Sequence, residues 1–129
     1  MSTITATKRG ATCLSKSFRG AGTLEVWLLE CDLAAYTGSS DDLAIAAVGA
    51  FIDSLARDGK TSTLVWGTPA HAGVDTNAQA VYACGASVAA LAISTDDLTG
   101  ELCSAMPSTE VSSATASTGI GIMVGVTRA

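Results

Sequence analysis

The residues of this 129-residue chain that could carry chemistry are one histidine, four cysteines, two aspartate pairs and a Gly-Lys-Thr triplet. His71 is the sole histidine, so a Ser-His-Asp or Cys-His relay would have to pass through it. Asp75 and Cys84 follow in sequence, but there is no G-x-S-x-G elbow: GASVA at 85–89 breaks the pattern at its last position. His71 therefore reads as a solvated loop or interface histidine, and Asp75 on the same loop as a second partner-binding residue. Gly59-Lys60-Thr61 fails as a phosphate loop. That motif runs strand, G-x-x-x-x-G-K-[ST], helix, whereas here Ser54 takes the first glycine's place and the helical pattern precedes the triplet.

Cys13, Cys31, Cys84 and Cys103 stand singly in apolar surroundings such as LLECDL and VYACGA, with no C-x-x-C pair, so no zinc and no other cofactor is expected. An even number would suit two disulfides in a secreted protein. MSTITATKRG, however, carries no apolar stretch of the signal-peptide kind. The expectation is synthesis in the cytoplasm with reduced, buried thiols, and disulfides or a metal are the alternatives. The aspartate pairs lie in SSDDL, 39–43, and STDDL, 94–98, without the oxygen-rich spacing of a calcium loop. Capping or turn formation is their expected role. A glycosidase-type carboxylate pair would need a sugar platform, and aromatics make up only 5% of the chain.

These residues need elements to hold them. Residues 2–18 are rich in Thr and read as one or two strands broken at Gly10, with a turn over 18–22. TLEVWLLECDL, 23–33, is the strongest strand: Leu24, Val26 and Leu28 fall on one face and Trp27, Leu29 and Cys31 on the other, as in a strand packed on both sides. The period then changes. Ile45, Val48, Ile52 and Leu55, with Phe51 beside them, predict a helix over about 41–57. Ser39 or Ser40 would cap it, Asp41 and Asp42 would favour its start, and Arg57 and Gly59 its end.

Beyond residue 60 the pattern is β: a strand over 61–67, a long loop over 68–79, two strands meeting near Gly85 within 81–94, turns with a short strand at 101–104, and a polar edge over 111–117. In STGIGIMVGVT, Ile120, Ile122, Val124 and Val126 line one face, while Gly119, Gly121, Met123 and Gly125 line the other. No helix follows these glycines, so they do not form a dinucleotide fingerprint, and they suggest close approach of another backbone.

The whole is expected to be one β-rich domain, 1–129, a compact antiparallel β-sandwich or jelly-roll-like fold with one helix. Hydrophobic residues reach 48% and charged ones 15%, against about 25% in an average domain, which excludes a disordered chain. No apolar run is long enough for a membrane helix. The net charge of −5 hides an asymmetry: Lys8, Arg9, Lys16 and Arg19 lie in a first segment of nineteen residues that contains no acid. One reading is a basic arm, 1–19, that docks on an acidic partner; the other is an edge strand whose charges discourage sheet-to-sheet pairing. Direct nucleic-acid binding is not expected from an acidic chain without interleaved bases and aromatics.

SKSFRGAGTLEVWLLE and DTNAQAVYACGASVAALAIS, in a short acidic chain rich in Ala, Ser, Thr and Gly, resemble the capsid decoration, or cement, proteins of tailed bacteriophages. The resemblance implies a β-sandwich, jelly-roll or β-tulip module that assembles as a dimer or trimer on the virion surface and clamps the major capsid protein, with no catalysis. Lys8, Arg9, Lys16, Arg19, His71 and Asp75 are then the expected partner-binding residues. The alternatives are another phage structural subunit, of tail tube, connector or head completion, and a small ligand-binding or hydrolytic sandwich using His71.

Overall fold

Alternation of buried and exposed side chains organises most of this chain. The computed structural model describes residues 2–20, 22–85, 90–105 and 109–129, without the side chains of Ser2 and Arg19. Among the described residues ten strands and one helix follow in the order β1 Ser2–Thr5, β2 Thr7–Arg19, β3 Gly22–Leu33, β4 Asp41–Ile45, α1 Val48–Ala56, β5 Ser62–His71, β6 Gly73–Asp75, β7 Ala80–Cys84, β8 Ala92–Ser94, β9 Asp97–Cys103 and β10 Ser117–Arg128. The strands form one mixed, mostly antiparallel sheet of order β1-β4-β9-β7-β6-β10-β3-β2, with β5 also on β10 and β8 on β9, curled into a half-barrel. The pairing of β1 with β4 is the parallel one.

Strand β10 is the spine. It pairs with β3 along one edge, and along the other with β6 at Ser117–Thr118 and with β5 from Gly121 to Arg128. Ile120, Ile122, Val124 and Val126 are buried as the alternation requires. Trp27, Leu29 and Leu33 of β3 join them, with Ile45 of β4, Val48 and Ile52 of α1 and Leu98 of β9. At about 1.5–3 kcal/mol for each fully buried aliphatic side chain, this face fixes the register, because a slip of one residue would turn the whole set outward. The opposite face of β3 is different. Leu24, Val26 and Leu28 are only half-buried, so β3 is not packed equally on both sides as its composition suggested.

The helix is shorter than expected. Residues 41–45 form β4 because Asp41, Leu43 and Ile45 alternate as buried positions with Asp42 and Ala44, and the chain acquires a helical period only from Val48. Ala47 and Arg57, both left-handed at φ 53°, bound α1, so neither Ser39 nor Ser40 caps it and it ends before Gly59. Its amides are met from a distance. Asp96 Oδ1 accepts the Gly49 amide at 2.7 Å, Asp96 Oδ2 the Ala50 amide at 3.3 Å, and Asp97 Oδ1 the Ala47 amide at 2.9 Å. Asp41 instead closes a turn, accepting the Thr37 amide at 2.9 Å and its hydroxyl at 2.6 Å. Leu55, part of the expected apolar stripe, is 44% exposed.

The loop expected over 68–79 is largely strand. β5 runs on to His71, with buried Pro69 beside a register shift where a missing amide costs little, and β6 follows at once. In the region of 81–94 the structure has β7 and β8; residues 86–89, including most of GASVA, lie outside the described residues. The cysteines depart from a uniform set of buried thiols. Cys84 and Cys103, on the neighbouring strands β7 and β9, are joined as a disulfide with Cα atoms 6.4 Å apart. Cys13 is exposed, and Cys31 remains a buried thiol whose pKa burial pushes up to about 12.

Candidate interaction surface

The glycines of β10 define the outer face of the sheet. Gly121 and Gly125 leave room there for two rings of β5. A Cβ at Gly121 would collide with the His71 imidazole, and one at Gly125 with the Trp66 indole. Both rings therefore lie across glycine backbone. Register extends the face sideways: Leu28 of β3 stands opposite Met123, Val26 opposite Gly125 and Leu24 opposite Thr127. On β2, Thr12, Ser15 and Ser17 oppose Leu28, Val26 and Leu24 in turn. The result is a low surface of half-buried Leu24, Val26, Leu28, Trp66 and Met123, bordered by small hydroxyl side chains. Its charged members are exposed Glu30, opposite Gly121, and the ion pair of Arg9 Nε with Asp32 Oδ2 at 3.0 Å.

The basic residues of the first segment belong to the sheet. Residues 2–5 and 7–19 form β1 and β2, and β2 is an edge strand that is mostly exposed, with Leu14 52% and Phe18 82% accessible. Lys8 Nζ donates to the Ala46 carbonyl at 2.6 Å and sits 5.7 Å from the centre of the Phe51 ring. Arg9 is held by Asp32, and Lys16 Nζ lies 3.8 Å from Glu25 Oε2. The side chain of Arg19 lies outside the described residues. Three of the four charges thus have an acceptor within the chain, and the geometry is that of a strand with its charges turned to its own neighbours.

His71 and Asp75 are not joined. The His71 ring is exposed, and Nδ1 lies 3.2 Å from the Ala72 carbonyl. Among the described residues it has no carboxylate or hydroxyl partner of the kind a catalytic histidine needs. Asp75 is 5% exposed; its Oδ1 accepts the amides of Asn77 at 2.9 Å and Gln79 at 2.8 Å and so closes the turn after β6. Its Oδ2 is buried without a partner among the described residues. Asp75 is thus buried, whereas His71 is exposed on the same outer face as Trp66.

Sequence reasoning missed a polar network on the inner face. Continuing the even-numbered alternation of β10 by one step places Arg128 inside, and its side chain is 1% exposed. Its Nη1 and Nη2 donate to Asp58 Oδ2 and Oδ1 at 2.7 Å each, and Nε donates to Ser62 Oγ at 2.9 Å. Ser62 Oγ in turn donates to Asp53 Oδ1 at 2.6 Å. Glu25, fully buried, lies 3.7 Å from Arg128 Nη1 and accepts from Thr23 Oγ1 at 2.6 Å and Trp27 Nε1 at 2.9 Å. Burial alone would raise the Glu25 pKa, but these hydrogen bonds and the charges of Arg128 and Lys16 bring it below the ordinary carboxylate value. The Arg128 hydrogen bonds hold Asp58 far below that value as well.

A cavity of about 600 Å³ opens elsewhere, between β1, β4, β8 and β9, with Leu43, Leu91, Asp42 and Glu101 on its walls. No described residue of β5 or β6 lines it, so it is separate from His71. A smaller one of about 180 Å³ shares Asp42 and Glu101 and reaches Glu110, which accepts a hydrogen bond from the buried Tyr36 hydroxyl. Burial, together with that hydrogen bond, raises the Tyr36 phenol above its usual range.

Comparison of the chain with protein-family models, with curated proteins and with solved structures finds no match.

Proposed function

We propose that this protein is a structural component of a tailed-phage virion, a decoration protein that binds the major capsid protein lattice and stabilises the head. The observation that carries the reading is the outer face of β2, β3, β10 and β5: a continuous half-buried apolar surface, low in charge, with Trp66 laid across Gly125. Such a surface gains by covering area against a neighbour, as interface cores rich in aromatic, Met and aliphatic groups do. Repetition over a symmetric lattice multiplies a modest affinity at each site. In this reading the half-barrel is one layer of the jelly-roll-like sandwich expected of such modules, and the neighbour supplies the second. The assembling unit is a dimer or trimer.

The test is co-sedimentation of the purified chain with empty heads of the phage whose genome encodes it. Saturating binding at hundreds of copies per particle is expected for decoration; about a dozen would instead indicate a connector or head-completion subunit, and no binding would overturn the reading. Because residues 2–19 are strands of the sheet, point variants probe the surface better than truncation. Val26→Lys and Leu28→Lys should abolish binding while the fold persists.

A further inference from the structure

We propose that Cys84, Glu101 and Cys103 form a site for a thiolate-preferring divalent cation, zinc above all, open in the reduced protein and closed when the two sulfurs are joined. Strand register makes the site. β7 and β9 are antiparallel with Cys84 opposite Glu101, and the two-residue period of β9 returns Cys103 to the same face. Two ligands two positions apart on one strand and a third across the ladder therefore converge. One sulfur or carboxylate oxygen from each lies within 4.8 Å of the others, and Cys103 Sγ is 3.7 Å from Glu101 Oε1. Among the described residues no other three His, Cys, Asp or Glu side chains converge in this way.

The donor set fits zinc. Tetrahedral zinc with bonds of about 2.3 Å to sulfur and about 2.0–2.2 Å to oxygen places its ligand atoms roughly 3.3–3.8 Å apart; Cys103 Sγ and Glu101 Oε1 already stand 3.7 Å apart, and reduction frees the two sulfurs to separate. Two thiolates and a carboxylate balance more than the charge of a divalent ion, and thiolate selects zinc over magnesium or calcium. Both cysteines are fully buried outside the apolar core cluster, whereas Glu101 is half-buried and lines both cavities. The trio thus borders open space at Glu101, from which a fourth ligand can come as solvent. Opening the site requires a dithiol reductant. Thiol-disulfide exchange transfers two protons and two electrons from the reductant to the Cys84 and Cys103 sulfurs and leaves the reductant as a cyclic disulfide; zinc then displaces the two thiol protons. The site is independent of the capsid reading.

The full chain, reduced with dithiothreitol and freed of it without oxygen, should bind one Co²⁺ with the near-ultraviolet bands of sulfur-to-cobalt charge transfer, displaced by one Zn²⁺. Cys84→Ser and Cys103→Ser should each weaken binding by at least about 100-fold, more than the roughly 10–100-fold typical of outer-sphere changes, and Glu101→Gln by roughly 10-fold. Cys13→Ser and Cys31→Ser should change nothing. Mapping of alkylation by mass spectrometry needs no variant: zinc should protect Cys84 and Cys103 of the reduced wild-type chain and leave Cys13 reactive. If the reduced chain has lost its β-sheet circular dichroism, zinc should restore it. The proposal is overturned by the absence of a one-to-one cobalt complex, by binding that survives Cys84→Ser, by protection confined to Cys13 or Cys31, or by a reduced, unfolded chain that zinc does not refold.

Discussion

Arg128 is held by three carboxylates and a hydroxyl that come from β3, the end of α1, the turn after it and the start of β5. A buried ion pair is weak support for stability in itself, but breaking one is costly because the partner charge is left without compensation. Arg128→Met should therefore destabilise the protein by on the order of 3–5 kcal/mol, read from urea unfolding, since the buried Glu25 would keep only Lys16, a partly exposed cation 3.8 Å away. The same network sets an acid limit. Glu25 and Asp58 have folded values below their ordinary 4.5 and 3.8, so the unfolded chain takes up protons first as the pH falls. Their stabilisation is fully present above about pH 5 and is lost as the pH falls through the folded values. Urea midpoints measured from pH 7 down to pH 3 should fall in the wild type and fall less in Arg128→Met. A wild-type midpoint that holds constant over that range would contradict the assignment. Arg128 was legible in the alternation of β10; its three carboxylate partners were not, since they are brought together from separated parts of the chain.

At the scale of elements, α1 depends on a hairpin distant in sequence. Thr95, at φ 58°, turns β8 into β9 and aims the Asp96 and Asp97 carboxylates at the start of the helix. The paired aspartates of STDDL do cap a helix, as their chemistry suggested, but a helix some fifty positions upstream. Asp96→Ala should cost about 0.5–2 kcal/mol, the usual worth of an N-terminal cap, with loss of helical circular dichroism, and Asp96→Asn should recover most of it. The link between β7 and β9 acts at the same scale. Cys84 and Cys103 are separated by 19 positions, and closing a loop of that size stabilises a fold by about 3 kcal/mol. Reduction in metal-free buffer should lower the unfolding free energy by about that amount, and the Cys84→Ser protein should be insensitive to reductant. The position of α1 was misread because DDLAI serves two periods. Its Ile45 stands three residues before Val48, in step with a helix, and two after Leu43, in step with a strand, and pairing with β1 and β9 decides for the strand.

At the scale of the molecule, the inner and outer faces of the curled sheet do different work. Buried aliphatic side chains fix the fold from within, and the outer positions stay half-exposed. Val26→Lys and Leu28→Lys should cost no more than about 1 kcal/mol each in urea unfolding, the span of strand preferences at such sites, and, on the proposed decoration reading, should abolish sedimentation with heads. Variants that unfold would place these residues in the core instead. The sequence by itself determined the β-rich class, the alternation that buries Ile120 to Val126, the strand over 23–33 and the failure of the Gly-Lys-Thr triplet as a phosphate loop, because each rests on a period or spacing within a few residues. Only the tertiary structure decided that 2–19 is part of the sheet, that Arg128 closes a polar network, that Cys84 meets Cys103 and that Trp66 and His71 cover the glycines of β10. Those facts depend on which strands become neighbours and in what register, and that choice is made by burial of the whole inner face at once.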